Sequence, residues 1–102
     1  DKKIKRNIED IDIDVIDSLR PVQYKLINED SGTTHYGFIA QDVEQALAKA
    51  GAANDRLGVV RYDVDKETNE RINYAIAYDE IIPLLVKKCQ ELQQEINRLK
   101  GE

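Results

Sequence analysis

The period of apolar positions changes several times along the chain, and each change marks an element. Between Tyr78 and Leu99 the apolar residues Tyr78, Ile82, Leu85, Cys89, Leu92, Ile96 and Leu99 recur at spacings of 4 and 3 in alternation. That spacing keeps one seam facing a partner helix over about three heptads. With Leu85 at d, Ile82, Cys89 and Ile96 fall at a, and Tyr78, Leu92 and Leu99 join the d layer. Glu95 then sits at g and Lys100 at the following e, the spacing of an ion pair between parallel helices. Pro83 lies in the first turn or two, where a missing N–H costs least. A helix of this length spans roughly 33 Å, more than so small a domain needs to cover itself. It is expected to protrude and to assemble. Ile at a with Leu at d favours two strands, whereas Ile81, Leu84 and Val86 widen the face towards burial on the body or a bundle of three or more. A single amphipathic helix folded back on its own globule is the plain alternative.

Upstream, the pattern is mixed. Residues 3–8, KIKRNI, hold only Ile4 and Ile8 as apolar anchors and read as a loose strand or extended arm. Asp12 can cap a short helix with Val15, Ile16 and Leu19 on one face, ended by Pro21. Val22, Tyr24 and Leu26 alternate with polar neighbours as in a half-buried strand. Residues 28–32, NEDSG, are turn chemistry, and Thr33 to Phe38 read as the returning strand. Ile39, Val43, Ala46, Leu47 and Ala50 share one helical face, with Gly51 as its natural stop. A loop through Asn54 and Gly58 leads to a strand with Val60, Tyr62 and Val64 alternating. After the polar turn 65–70, Ile72, Tyr74 and Ile76 alternate back. The fold class expected is α+β: two β-hairpins, short helices and a long C-terminal helix in a coiled coil. The expected division is an α+β body with an N-terminal arm over 1–77 and the coiled-coil helix over 78–102.

At 102 residues the chain is one domain with a modest core, a size that gains from assembly. Its net charge of −5 argues against a general nucleic-acid binder. Lys2, Lys3, Lys5 and Arg6 crowd the start, and Glu9, Asp10, Asp12, Asp14 and Asp17 follow at once. A solvated surface accounts for such a reversal as readily as a function does. The single cysteine, Cys89, excludes an internal disulfide framework, and its place on the seam reads as a buried structural thiol. No apolar run approaches the roughly 18–20 residues of a membrane span, and no signal peptide stands at this N-terminus. The chain begins without methionine and reads as a piece of something longer or a processed product.

The residues offer little complete chemistry. His35 has no second histidine and only a distant cysteine, so neither a zinc site nor any other metal or cofactor is expected. Gly32, Gly37, Gly51 and Gly58 lack the spacing of a phosphate loop. Ser18 and Ser31 sit in cap or turn contexts. From the residues alone, the chain reads as an assembly module.

Three segments in order add to that reading: DKKIKRNI at the start, LRPVQYKL at 19–26 and YGFIAQDVEQAL at 36–47, with YDEIIPLLVKKCQEL at 78–92 after them. The chain resembles the intramolecular chaperone auto-processing domain at the C-terminus of phage endosialidases, tail spikes, tail fibres and neck appendages. Gly37–Gln41, preceded by Pro21-Val22 and Tyr24, is the most specific element.

The resemblance implies a homotrimer that aligns three upstream fibre chains, helps them fold into intertwined β-structure and then cuts itself off. In that family a serine just before a Ser-Asp-x-Arg-x-Lys motif makes the cut. Asp1 and Lys5 match the Asp and Lys, and Lys3 replaces the Arg; the serine would be the residue immediately before Asp1, outside this sequence. The implied chemistry is a Ser–Lys dyad with Lys5 as general base and Asp1 as motif neighbour of the serine. An exposed lysine titrates near 10.4, so Lys5 must be desolvated or crowded by cations, here Lys2, Lys3 and Arg6, to act at neutral pH. The trimer seam implied is Ile82, Leu85, Cys89, Leu92, Ile96 and Leu99. The partners expected are two further copies and the upstream region of the same polypeptide, with no nucleic acid and no membrane. The place expected is the host cytoplasm during phage assembly, followed by release from the virion tail or appendage protein. Two other readings stay open: a permanent trimerisation cap that never cleaves, and a cellular coiled-coil dimerisation module.

Overall fold

The computed structural model describes residues 1–52 and 57–101. Among the described residues, the strands and α-helices are β1 (Val22–Tyr24), β2 (His35–Gly37), α1 (Ala40–Leu47), β3 (Val60–Val64), β4 (Arg71–Ile76) and α2 (Tyr78–Lys100). The strands form two separate antiparallel hairpins, β1–β2 and β3–β4. The α+β expectation holds, with both hairpins and the long helix where the patterns place them. Asn54, part of the expected loop, and Glu102, the end of the expected helical segment, lie outside the described residues.

The first hairpin is shorter than the alternation suggests. Val22 pairs with Gly37, Gln23 with Tyr36 and Tyr24 with His35. Leu26, expected to extend the strand, lies beyond it and is exposed. The second hairpin is longer and irregular. Arg61 pairs with Ala75 but Asp63 with Ile72, so β4 carries one extra residue. Asn73 absorbs it with φ of 55°, a left-handed conformation that Asn tolerates better than most residues. Its side-chain amide donates to Asp63 Oδ2 at 3.1 Å. The bulge breaks the expected alternation, and Ile72 ends up exposed. Asp65 closes the connecting turn: its carboxylate accepts the N–H of Glu67 at 2.8 Å, and its own N–H bonds the Glu70 carbonyl at 2.8 Å.

Helix α1 buries Val43, Ala46 and Leu47. It runs on through a wider turn, Ala48–Ala52, and leaves helical geometry at Gly51 with φ of 98°. The expected glycine stop is therefore present.

Two N-terminal expectations are corrected. Residues 2–4 of the arm form a 3₁₀ turn rather than an extended strand, because Asp1 Oδ1 accepts the Lys3 N–H at 2.8 Å and caps it. The short helix expected after Asp12 is only a 3₁₀ turn, Ile16–Ser18, with Val15 rather than Asp12 at its start and no side-chain cap. Pro21 disfavours helical geometry at Arg20, and Leu19 is already extended, so the turn goes no further.

The core is small. Val15, Val43, Ala46, Leu47, Ala52, Val59 and Ile81 are the buried hydrophobic residues among those described, and none is aromatic. Phe38, Leu84, Ile76 and Ile16 pack around them, half-buried. Ala77 N–H donates to the Val59 carbonyl at 2.8 Å, fixing the start of α2 to the second hairpin.

Candidate functional site

Helix α2 has two unlike halves. Ile81 is buried and Leu84, Lys87 and Lys88 are half-buried against the body. From Cys89 onward every described residue is exposed. The helix therefore leaves the body after three turns and runs on for about three more, in a molecule 57 Å along its longest axis. The projecting part carries the seam: Leu92, Ile96 and Leu99 are 54, 46 and 56 % exposed. Ile82, Leu85 and Val86, nearer the body, are also exposed. Cys89, expected to be buried, is exposed on the single chain, where no described residue covers its face. Glu95, expected to face Lys100 of another chain, is held by Arg98 of its own helix, whose Nε donates at 3.2 Å. That guanidinium holds the Glu95 carboxyl below its usual range.

Tyr78 departs from the pattern in another way. It falls at d by spacing, yet its hydroxyl turns back to accept the Phe38 N–H at 3.1 Å, and the two rings stack with centroids 6.1 Å apart. Gly37 lies directly beneath: a Cβ there would stand 2.3 Å from that hydroxyl. The Gly37–Gln41 element thus runs between the two hairpins and the root of α2. Together they line a shallow cleft of about 440 Å³, with Tyr24, Phe38, Gln41, Tyr74 and Tyr78 among its walls. This close approach is the physical reason a glycine suits position 37.

The arm lies apart from that junction. Residues 1–10 are all exposed, Ile4 and Ile8 among them at 83 and 66 %. The turn Lys2–Ile4 is held by the Asp1 cap and by the Lys5 N–H on the Lys2 carbonyl at 3.3 Å. A 3₁₀ turn rises about 2 Å per residue against about 3.3 Å when extended, so Asp1 and Lys5 stand closer than an extended arm would leave them. Lys5 itself is exposed.

His35 Nε2 lies 3.1 and 3.3 Å from the two carboxylate oxygens of Glu29, and its ring stacks on Tyr24. This contact draws the Glu29 carboxyl below its usual range. Sequence reasoning missed the pair, because the five intervening loop residues carry no periodicity to announce it. No group of His, Cys, Asp and Glu among the described residues could hold a metal ion, and no described helix is long and apolar enough to cross a membrane.

The family model described as chaperone of endosialidase matches residues 1–52. The chain belongs to the chaperone of endosialidase family. The match covers the arm, the first hairpin and α1 with its glycine stop, including the Gly37–Gln41 element. It ends before the 78–92 segment that also carried the resemblance. No curated protein and no solved structure matches the chain. Membership of this family supports a chaperone role.

Proposed function

We propose that this chaperone domain assembles as a homotrimer through α2, registers the ends of three upstream fibre, spike or appendage chains, and is then released by self-cleavage before Asp1. The observation that carries the reading is the apolar seam left exposed on a helix that outruns its own body. Leu, Ile and Cys side chains at a and d gain from leaving water only if other helices cover them. The small core adds to the case, since a domain with few buried large side chains gains stability from assembly. Three chains held at one point through short tethers reach effective concentrations around the millimolar range, which converts a termolecular search into a local one. Non-local β-structure forms slowly and benefits most from such local supply.

For release, the nucleophile is a serine preceding Asp1 and the base is Lys5. The serine hydroxyl attacks the carbonyl on its N-terminal side while the neutral Lys5 amine accepts its proton; the proton then passes to the departing nitrogen, and water clears the resulting ester. The capped turn supports this assignment, since it leaves Lys5 nearer to Asp1 than an extended arm would. On the single chain Lys5 is exposed, and a lysine serves as a base at neutral pH only where desolvation or neighbouring cations favour the neutral amine. Packing of the arm within the trimer supplies the desolvation, so cutting waits for assembly.

The test restores the upstream chain with a serine before Asp1 and compares it with Lys5→Ala by intact mass. The expected result is fibre plus a domain of 11.7 kDa extended by one serine from the first, and an uncut Lys5→Ala precursor. Two uncut precursors reduce the domain to a permanent cap; two cut ones remove Lys5 from the mechanism.

A further inference from the structure

The described contacts between the N-terminal segment and α2 lie at the root of the arm. Residues 1–10 are exposed throughout, and the first buried side chain of the chain is Val15, 1 % exposed. Ile13 and Ile16 flank it, half-buried, and this short segment meets α2 in a small cleft with Leu84, Lys87, Lys88 and Glu91. Two carboxylates bracket the apolar contact. Lys88 Nζ donates to Asp14 Oδ1 at 3.2 Å and lies 3.0 Å from Asp17 Oδ2. The Lys88 side chain is only 16 % exposed, while Asp14 and Asp17 reach out to it from solvent. The paired carboxylates, Asp17 first and then Asp14, raise the Lys88 pKa above its usual value.

The heptad register gives this lysine a second role. With Cys89 at a, Lys88 is at g, where the methylene stem of a side chain packs along the edge of a coiled-coil core. A g residue ordinarily finds its charged partner at the e position five residues on in the neighbouring helix. Here that residue is Gln93, uncharged and hydrogen-bonded to Asn97 of its own helix. The Lys88 charge is thereby left to Asp14 and Asp17 of its own chain. One side chain thus borders the assembly seam with its stem and holds the root of the arm with its head.

We infer that Lys88 is a positioning residue that couples assembly of α2 to placement of the processing arm. Covering the seam closes the remaining exposure of the Lys88 stem and so strengthens the hold that its ammonium already has on Asp14 and Asp17, and the fixed root sets the direction in which residues 1–12 leave the body. The coupling rests on the proposed processing role of the arm, and it adds the physical link between helix and cut.

The experiment uses the full precursor as wild type, Lys88→Gln and Lys88→Arg. It follows oligomer mass, cleavage half-time and amide exchange at Ser18 and Leu19, whose N–H groups bond the Val15 and Ile16 carbonyls at 3.0 and 3.2 Å. Lys88→Gln should keep the oligomer mass, exchange faster at both amides and cleave slower by about tenfold or more, since small misplacements of reacting groups cost that much or more. Lys88→Arg, which keeps the charge and can fork to both carboxylates, should restore both readouts. Unchanged exchange or a wild-type cleavage rate in Lys88→Gln overturns the coupling. A wild-type precursor that assembles but stays whole overturns the processing reading instead; exchange that then slows on assembly in wild type but not in Lys88→Gln still supports the clamp, and exchange indifferent to Lys88 overturns it.

Discussion

The hydroxyl of Tyr78, first residue of the long helix, accepts the backbone N–H of Phe38 at 3.1 Å, directly over Gly37. Forty residues apart in sequence, the two tie the family's glycine element to the helix that projects from the body. Gly37→Ala would place a Cβ 2.3 Å from the Tyr78 hydroxyl oxygen. Forcing that methyl in should lower stability by about 1–3 kcal/mol. Tyr78→Phe alone loses one hydrogen bond, about 0.5–1.5 kcal/mol. The double variant should be less destabilised than the two singles added together, because the oxygen that collides is gone. Chemical denaturation of the four proteins checks this, and strict additivity would count against the contact.

The two halves of α2 should respond oppositely to substitution. Ile81 is 3 % exposed, and Ile81→Ala should cost about 2–5 kcal/mol in domain stability. Leu92 is 54 % exposed on one chain, so Leu92→Asp should barely change the stability of the isolated fold. In an assembly the same change buries a charge in the seam and should abolish the trimer and fibre folding together. Light-scattering mass beside a melting curve separates the two effects; trimers and normal fibres from Leu92→Asp would remove the helix from its proposed role.

Cys89 offers a probe that needs no substitution. Its thiol is exposed on the single chain and lies at an a position of the seam. A thiol-reactive dye should label it readily in diluted, dissociated protein and poorly in assembled protein. Equal labelling rates at both concentrations, with assembly confirmed by mass, would place Cys89 outside the interface.

The His35–Glu29 pair gives the first hairpin a dependence on acid. The contact with His35 lowers the Glu29 pKa below 4.5, so its stabilising contribution is complete above about pH 4.5. It is lost as pH falls through the lower, folded value. Glu29→Gln should flatten that acid limb without altering the neutral region. Thermal melts between pH 3 and pH 6 supply the comparison, and an unchanged acid limb in Glu29→Gln would show that the loss belongs to other carboxylates.

Local pattern determined much of this protein. The 4–3 spacing after Tyr78, the Gly51 stop and the polar turn at 65–70 are each decided within a few residues, so helix, cap and second hairpin were legible from the chain. Family membership was legible too, because the Gly37–Gln41 run and its neighbours are contiguous. What the chain could not show was decided by particular contacts, some between near neighbours and some between distant residues. The Asp1 cap turned an expected strand into a 3₁₀ turn, Asn73 put a bulge into an alternating strand, and Tyr78 left its heptad place for the Phe38 amide. The Lys88 bridge joins residues 71 and 74 positions apart, and no periodicity announces it. Sequence period specifies which faces of an element are apolar; only the packed chain decides which of those faces it covers itself and which, like the seam beyond Cys89, it leaves exposed.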